Sequence, residues 1–260
     1  MNPLAELHDP GRIRGLLFDI DETLTTDGKL TAQAYGAMER LQRAGKLLVP
    51  ITGRPAGWCD HIARMWPVNA VVGENGAFYF CRSHGKLHKK FRDSDEARML
   101  NRARLQVIGK QILEQVPGSA LASDQPYRET DLAIDYCEDV PPLPPATAER
   151  IAALMRAAGL SAKISSIHVN GWFGGYDKLG MTQQLFAEFF NYDARTLQRE
   201  FAFAGDSPND APMFAFFDSS VGVANVAHFA EHIQTPPKYV TQGTAGAGFA
   251  EFAAYLLGER

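Results

Sequence analysis

Leu16-Leu17-Phe18-Asp19-Ile20-Asp21-Glu22-Thr23-Leu24 is an apolar run that stops abruptly at two carboxylates one residue apart. It predicts a buried strand with the acidic pair at its carboxyl end. In an open α/β sheet, ligands bind outside that end of the strands. Close carboxylates repel one another and favour a cation beside them, and hard oxygen donors suit Mg²⁺. A carboxylate also serves as a covalent nucleophile in aspartyl-phosphate enzymes. Alone, the stretch equally fits a strand running into a polar turn, so residues elsewhere in the chain must decide.

Downstream, Thr31 caps a predicted helix through Tyr35, Met38 and Leu41, which Gly45 ends. A second apolar run, Leu47-Leu48-Val49-Pro50-Ile51, closes on Thr52-Gly53-Arg54-Pro55. Strand, helix and strand in this order predict a βαβ unit and a parallel sheet. Thr52 then falls at a strand end, as Asp19 does. Pro55 suits the first turn of a helix through Trp58, Ile62 and Met65. A hydroxyl before a helix N-terminus is a phosphate-binding arrangement and equally a plain N-cap. Ala70-Val71-Val72 reads as a third strand.

The texture changes after Gly76. Residues 77–91 are aromatic and basic, and their alternation predicts an antiparallel hairpin turning at His84-Gly85. An anion-binding face and a lysine-protected sheet edge both fit this composition. A long helix is expected over 94–116, a strand over 132–136, a stiff proline-rich connector at 141–145, a helix over 146–158 and a strand over 162–169. Parallel features return with a helix from Lys178, the strand Phe201-Ala202-Phe203-Ala204, a helix through Met213 and Phe214, strands at 221–224 and 238–241, and a last helix at 248–257. The expected organisation is a discontinuous α/β core, 1–76 and 176–260, with a separate α/β insert at 77–175.

Composition narrows the function classes. With 260 residues and 45% hydrophobic residues, the chain has enough apolar material for a sizeable core. A net charge of −4 gives no reason to expect nucleic acid or an anionic membrane as partner. No apolar run is long enough to span a bilayer, and 1–14 lacks the apolar core of a signal peptide. Cys59, Cys81 and Cys137 are scattered, with no CxxC pair, as expected in a reducing cytoplasm.

Asp19 with Asp21, Thr52, and Asp206 with Asp210 all fall just past expected strand ends, and Lys178 falls at a helix start. Together they supply carboxylates for a divalent cation, a hydroxyl and an ammonium for phosphoryl oxygens, and a nucleophile. Phosphoryl transfer needs that set: charge neutralisation and in-line positioning.

This ordered set resembles the haloacid dehalogenase-like phosphatases, specifically the type IIB, Cof-like and sucrose-phosphatase-like members, whose α/β cap lies between the second and third motifs. DxDxT is matched by Asp19-Ile20-Asp21-Glu22-Thr23, the threonine motif by Ile51-Thr52-Gly53-Arg54, the lysine motif by Tyr176-Asp177-Lys178-Leu179-Gly180, and GDxxND by Gly205-Asp206-Ser207-Pro208-Asn209-Asp210. Glu74-Asn75-Gly76 resembles the lead into the cap. The resemblance implies a Rossmann-like parallel core with an inserted type IIB cap. It implies that Asp19 attacks phosphorus and that Asp21 acts as acid and base. It further implies that Thr52, Gly53, Lys178 and Asn209 hold the phosphoryl group. Mg²⁺ would be bound by Asp19, Asp206, Asp210 and the backbone carbonyl of Asp21. Arg54 and Asn75 are placed near substrate. One departure stands out: Glu22 occupies a position where many relatives have glycine, adding negative charge beside the site.

The cap of such proteins contacts the leaving group. Candidates are Arg128, Asp131, His168, Asn170 and Trp172, the last three on one face of an alternating strand. The expected function is a Mg²⁺-dependent phosphatase acting on a small phosphate ester, a sugar phosphate for preference. A phosphomutase and a non-catalytic phosphoacceptor are the alternatives. The expected setting is cytoplasmic, as a monomer or homodimer.

Overall fold

The computed structural model describes every residue except Ser166, His232 and Arg260. Strand β1 (Asn2–Pro3) opens the chain, and β2 (Gly15–Phe18), α1 (Ala32–Arg43) and β3 (Leu47–Pro50) form the first βαβ unit. Helix α2 (Ala56–Met65) leads to β4 (Ala70–Gly73) and the hairpin β5 (Phe78–Ser83) and β6 (Lys86–Phe91). Then come α3 (Asp95–Gln115), β7 (Ala120–Leu121), β8 (Asp131–Asp135), α4 (Pro145–Ala157), β9 (Ser161–Ile164) and β10 (His168–Trp172). The remainder is α5 (Lys178–Glu188), α6 (Ala194–Glu200), β11 (Phe201–Gly205), α7 (Ala211–Phe216), β12 (Ser219–Gly222), β13 (Tyr239–Val240) and α8 (Ala245–Leu256).

Six strands form an all-parallel sheet in the order β1-β13-β12-β11-β2-β3. The edge strand β1 pairs with β13. Strand β2 is buried along its whole length, which is why it reads as an unbroken apolar run. Successive side chains still point to opposite faces. Leu16 and Phe18 join the layer made with α1 and α8, whereas Leu17 joins the layer with α5, α6 and α7. Each such fully buried side chain contributes roughly 1.5–3 kcal/mol.

Register sets the position of the site. Phe18 lies opposite Pro50 on one side and Ala204 on the other. The amide of Asp19 donates to the Ala204 carbonyl at 2.9 Å, and that of Ile51 donates to the Phe18 carbonyl at 2.8 Å. The residues just beyond each strand, Asp19, Thr52 and Asp206, therefore leave the sheet at one edge.

A bridge between Ile51 and Val72 carries the sheet on to β4, which pairs with β5, and β5 with β6. The hairpin turns at His84 and Gly85, both at positive φ. It thus pairs with β4, beside the parallel strands, although it lies inside the stretch expected as the insert. A separate antiparallel sheet, β7-β8-β10-β9, packs against α3 and α4. The sequence suggested one strand over 162–169; the chain instead forms two, β9 and β10, paired antiparallel with Gly171 opposite Ala162.

Candidate active site

Asp19 is buried just beyond β2. Lys178, at the start of α5, is also buried and bridges two carboxylates: Nζ donates to Asp19 Oδ1 at 2.7 Å and to Asp210 Oδ1 at 2.8 Å. Asp177 caps α5 by accepting from the amide of Gly180, which fixes the helix start that presents Lys178. Asp210 is held in turn by the amides of Asp206 at 3.2 Å and Ser207 at 3.4 Å. A side chain at Gly205 would strike the Asp210 carboxylate, so glycine is required there.

Carboxylate oxygens of Asp19, Asp206 and Asp210 lie within 4.8 Å of one another, all buried. Burial pushes the Asp19 carboxyl up to about 7, with Asp210 and Asp21 adding to the rise and Lys178 opposing it. Burial, then Asp19 and Asp210, raises Asp206 well above the ordinary carboxylate range. Burial alone would lower Lys178, but Asp19 and Asp210 hold its ammonium above its usual value. Three crowded carboxylates against one ammonium leave a buried excess of negative charge. A hard divalent cation relieves it, and the all-oxygen donor set suits Mg²⁺. The Asp21 side chain lies outside this cluster; its expected contribution to the metal is its backbone carbonyl.

Asp21 instead faces Arg54. The Arg54 Nε and Nη2 donate to its carboxylate at 3.0 and 2.7 Å. Nη2 also donates to Glu138 at 3.2 Å, and the guanidinium lies 4.4 Å from the Trp58 ring centroid. Thr52 is fully buried, its hydroxyl accepting from the Arg54 amide at 3.0 Å. It lies behind the cleft wall; its neighbours Gly53 and Arg54 form that wall with Asp19, Asp21, Asn75 and Asn209. The insert closes the cleft from the other side with Arg128, His168 and Asn170.

Residues 16–100 match the family model described as haloacid dehalogenase-like hydrolase. Over that segment the chain is similar to the haloacid dehalogenase-like hydrolases. Solved structures share the fold across almost the whole length. A Thermoplasma acidophilum protein is 17% identical with a TM-score of 0.72, covering 94% of this chain and 98% of its own. The C-terminal domain of C. albicans trehalose-6-phosphate phosphatase is 14% identical at TM-score 0.70, covering 96% and 93%. The sucrose-phosphatase of Synechocystis sp. PCC6803, solved with sucrose and phosphate, is 16% identical at TM-score 0.63, covering 94% and 98%. No curated protein matches the chain in sequence.

The shared fold runs through the α/β insert as well, which covers the site as a cap would. The departure at Glu22 is also explained: its backbone is left-handed, φ 57°, and its carboxylate accepts from the Gly28 amide at 3.3 Å, away from the cleft. Of the cap candidates, His168 and Asn170 line the cleft. His168 Nε2 lies 2.8 Å from Glu138, and Asn170 donates to Asp131 at 2.9 Å. Trp172 does not join them; it is buried against Tyr176, with ring centroids 5.5 Å apart, in an apolar cluster with α2 and β5. Arg128 is held by Asp124 and Asp131 and reaches across to the Gly53 carbonyl at 3.0 Å.

Sequence reasoning missed four contributors. Thr23 donates to Asp206 at 3.0 Å; its place in the DxDxT motif was the available signal. Asn225 donates to Asp206 at 3.2 Å and to the Glu22 carbonyl at 2.9 Å, from the 3₁₀ helix Ala224–Phe229, which no motif marked. Glu138 is held down to about 2 by His168, with Arg54 adding to the effect against burial. Glu74 is fully buried between core and cap.

Proposed function

We propose that the chain is a Mg²⁺-dependent phosphatase that hydrolyses a small phosphate monoester through an aspartyl-phosphate. The observation that carries this reading is the Lys178 ammonium, buried and bonded at once to Asp19 and Asp210 beside Asp206. Asp19 Oδ attacks phosphorus, and the bond to the leaving oxygen breaks. Asp21 gives that oxygen its proton. Asp21 then takes a proton from water, whose oxygen attacks phosphorus, and Asp19 is released as a carboxylate with free phosphate. Asp19, Asp206 and Asp210 would hold Mg²⁺, which supplies charge neutralisation for the phosphoryl oxygens. Lys178, Gly53 and Asn209 hold the phosphoryl group, with Thr52 supporting the loop behind it. Asn75 and Arg54 border the leaving group.

His168 and Asn170, polar groups on the cap wall, support a hydroxyl-rich leaving group, hence a sugar phosphate. The names of the trehalose- and sucrose-phosphate phosphatases among the structural neighbours point the same way. Among the described residues no helix is long and apolar enough to cross a membrane. The sparse cysteines support a cytoplasmic setting, and we take the active unit as a monomer or homodimer.

The test is phosphate release from a panel of phosphorylated metabolites with Mg²⁺ and with chelator. Release from sugar phosphates that chelator abolishes is the expected result. Isomerised sugar phosphate without free phosphate would make the enzyme a mutase, and full turnover after metal removal would overturn the reading.

A further inference from the structure

Glu74 has no part in the chemistry above, yet among the described residues its carboxylate accepts four hydrogen bonds. Its side chain is fully buried. One oxygen accepts from the amide of Ala56, the first residue of α2, at 2.9 Å, and from the amide of Glu129 at 2.9 Å. The other accepts from the Thr130 amide at 2.7 Å and from the Thr130 hydroxyl. Ala56 closes the loop 52–56 in the core; Glu129 and Thr130 belong to the cap and immediately precede β8. A single carboxylate thus joins the two.

The backbone around it is built for this placement. Glu74 and Asn75 are both left-handed, at φ 42° and 56°, a costly conformation for residues with a side chain. The turn is tied to the same loop, the Glu74 amide donating to the Arg54 carbonyl at 3.2 Å and the Asn75 amide to the Thr52 carbonyl at 3.1 Å. Gly76 comes next at φ 104°, where a side chain would strike the Asp177 backbone next to Lys178. Residues 74–76 therefore touch the loop 52–56, the start of the lysine helix and the cap. Arg128, beside Glu129, reinforces the join through the Gly53 carbonyl.

We propose that Glu74 is a positioning residue that locks the loop 52–56 to the cap, so that seating the cap and ordering the phosphate-facing wall are one event. The inference rests on the phosphatase reading for its kinetic consequence and on geometry alone for the lock. The charged and titratable groups around the carboxylate are Arg128 and Asp131 from the cap, Cys59 on α2, and Tyr176 on the segment leading to α5.

The variants are Glu74→Gln and Thr130→Val. The glutamine amide nitrogen cannot accept from a backbone N–H, so either the Thr130 amide or the amides of Ala56 and Glu129 lose their acceptor. Phosphate release from p-nitrophenyl phosphate in saturating Mg²⁺ is measured with amide hydrogen exchange at Ala56, Glu129 and Thr130. If the competent seated form becomes a minority, Glu74→Gln raises KM about tenfold with kcat within about twofold. Exchange at Glu129 and Thr130 speeds up by about tenfold or more. Thr130→Val shows the same pattern, smaller. A residue that only supports the fold would lower kcat through lost active enzyme and leave KM alone; that result, or unchanged protection at Glu129 and Thr130, overturns the proposal. Faster exchange in a protein whose wild type releases no phosphate would sink the phosphatase reading and leave the lock standing.

Discussion

Glu22 occupies a left-handed backbone position with its carboxylate turned to the Gly28 amide. A non-glycine residue there costs roughly 1 kcal/mol. Glu22→Gly should therefore raise stability by about that amount, seen as a higher melting temperature, with activity retained. Loss of most activity would show that the carboxylate acts in the site. Glu74 gives a pH-dependent prediction. Burial, then Asp131, raises its carboxyl from 4.5 to about 7. The folded protein holds this proton more tightly than an exposed side chain does. The corresponding stability is fully present below about pH 4.5 and is lost as the pH rises through about 7. Wild type should lose stability across that window relative to Glu74→Gln. Melting curves of both proteins in Mg²⁺ test this; parallel pH profiles would contradict it. At this scale the motif residues were legible because short patterns such as Asp19-x-Asp21 carry their own chemistry. Glu138 was not, because nothing in a lone glutamate shows that Arg54 and His168 will meet it from other elements.

Among the elements, the 3₁₀ helix holding Asn225 is the clearest case of a support the sequence hides. Asn225 ties Asp206 to the Glu22 carbonyl and accepts from the Ala245 amide at 2.9 Å, where α8 begins. Loss of a group orienting a metal ligand costs roughly 10–100-fold in metal affinity. Asn225→Ala should raise the Mg²⁺ concentration for half-maximal activity at least about tenfold, with the rate at saturating Mg²⁺ largely restored. An unchanged Mg²⁺ titration would remove Asn225 from the site. Strands buried on both faces and helices with good caps were readable in advance. Thr31 accepts from the amide of Ala34 as its position suggested, and Ser94 accepts from the Ala97 amide at the start of the expected helix. Helix α6 was missed although Asp193 caps it, because seven residues carry too little periodicity. β9 and β10 merged into one expected strand because each alternates and no glycine or proline separates them. Trp172 lay in the alternating pattern but is drawn into the apolar cluster around Tyr176, so strand period alone did not say which polar-looking face meets the cleft.

For the molecule as a whole, the parallel sheet makes a site out of residues as far apart in sequence as Asp19 and Asp206, 187 positions. The order of motifs made this convergence readable, since parallel strands deliver their ends to one edge. What the sequence did not reveal is how the cap is fastened, because Glu74, Arg54 and Arg128 act across pairs of elements that only the tertiary structure brings together. The buried charge excess also has a global consequence. A cation that binds only the folded form stabilises it by about 2.7 kcal/mol at a hundred times its Kd. Mg²⁺ should then raise the melting temperature by roughly 5–10 °C. Chelator should reverse the shift, and Asp206→Asn should nearly abolish it. A Mg²⁺-independent melting temperature would argue that the acidic cluster is not a cation site. The most direct test of the chemistry is to quench the Mg²⁺-loaded enzyme with acid during turnover of a phosphate monoester and locate the covalent phosphoryl group by peptide mass. The expected result is one phosphoryl group on the peptide carrying Asp19, absent from Asp19→Asn, which also loses turnover; phosphate release that persists in Asp19→Asn would contradict it.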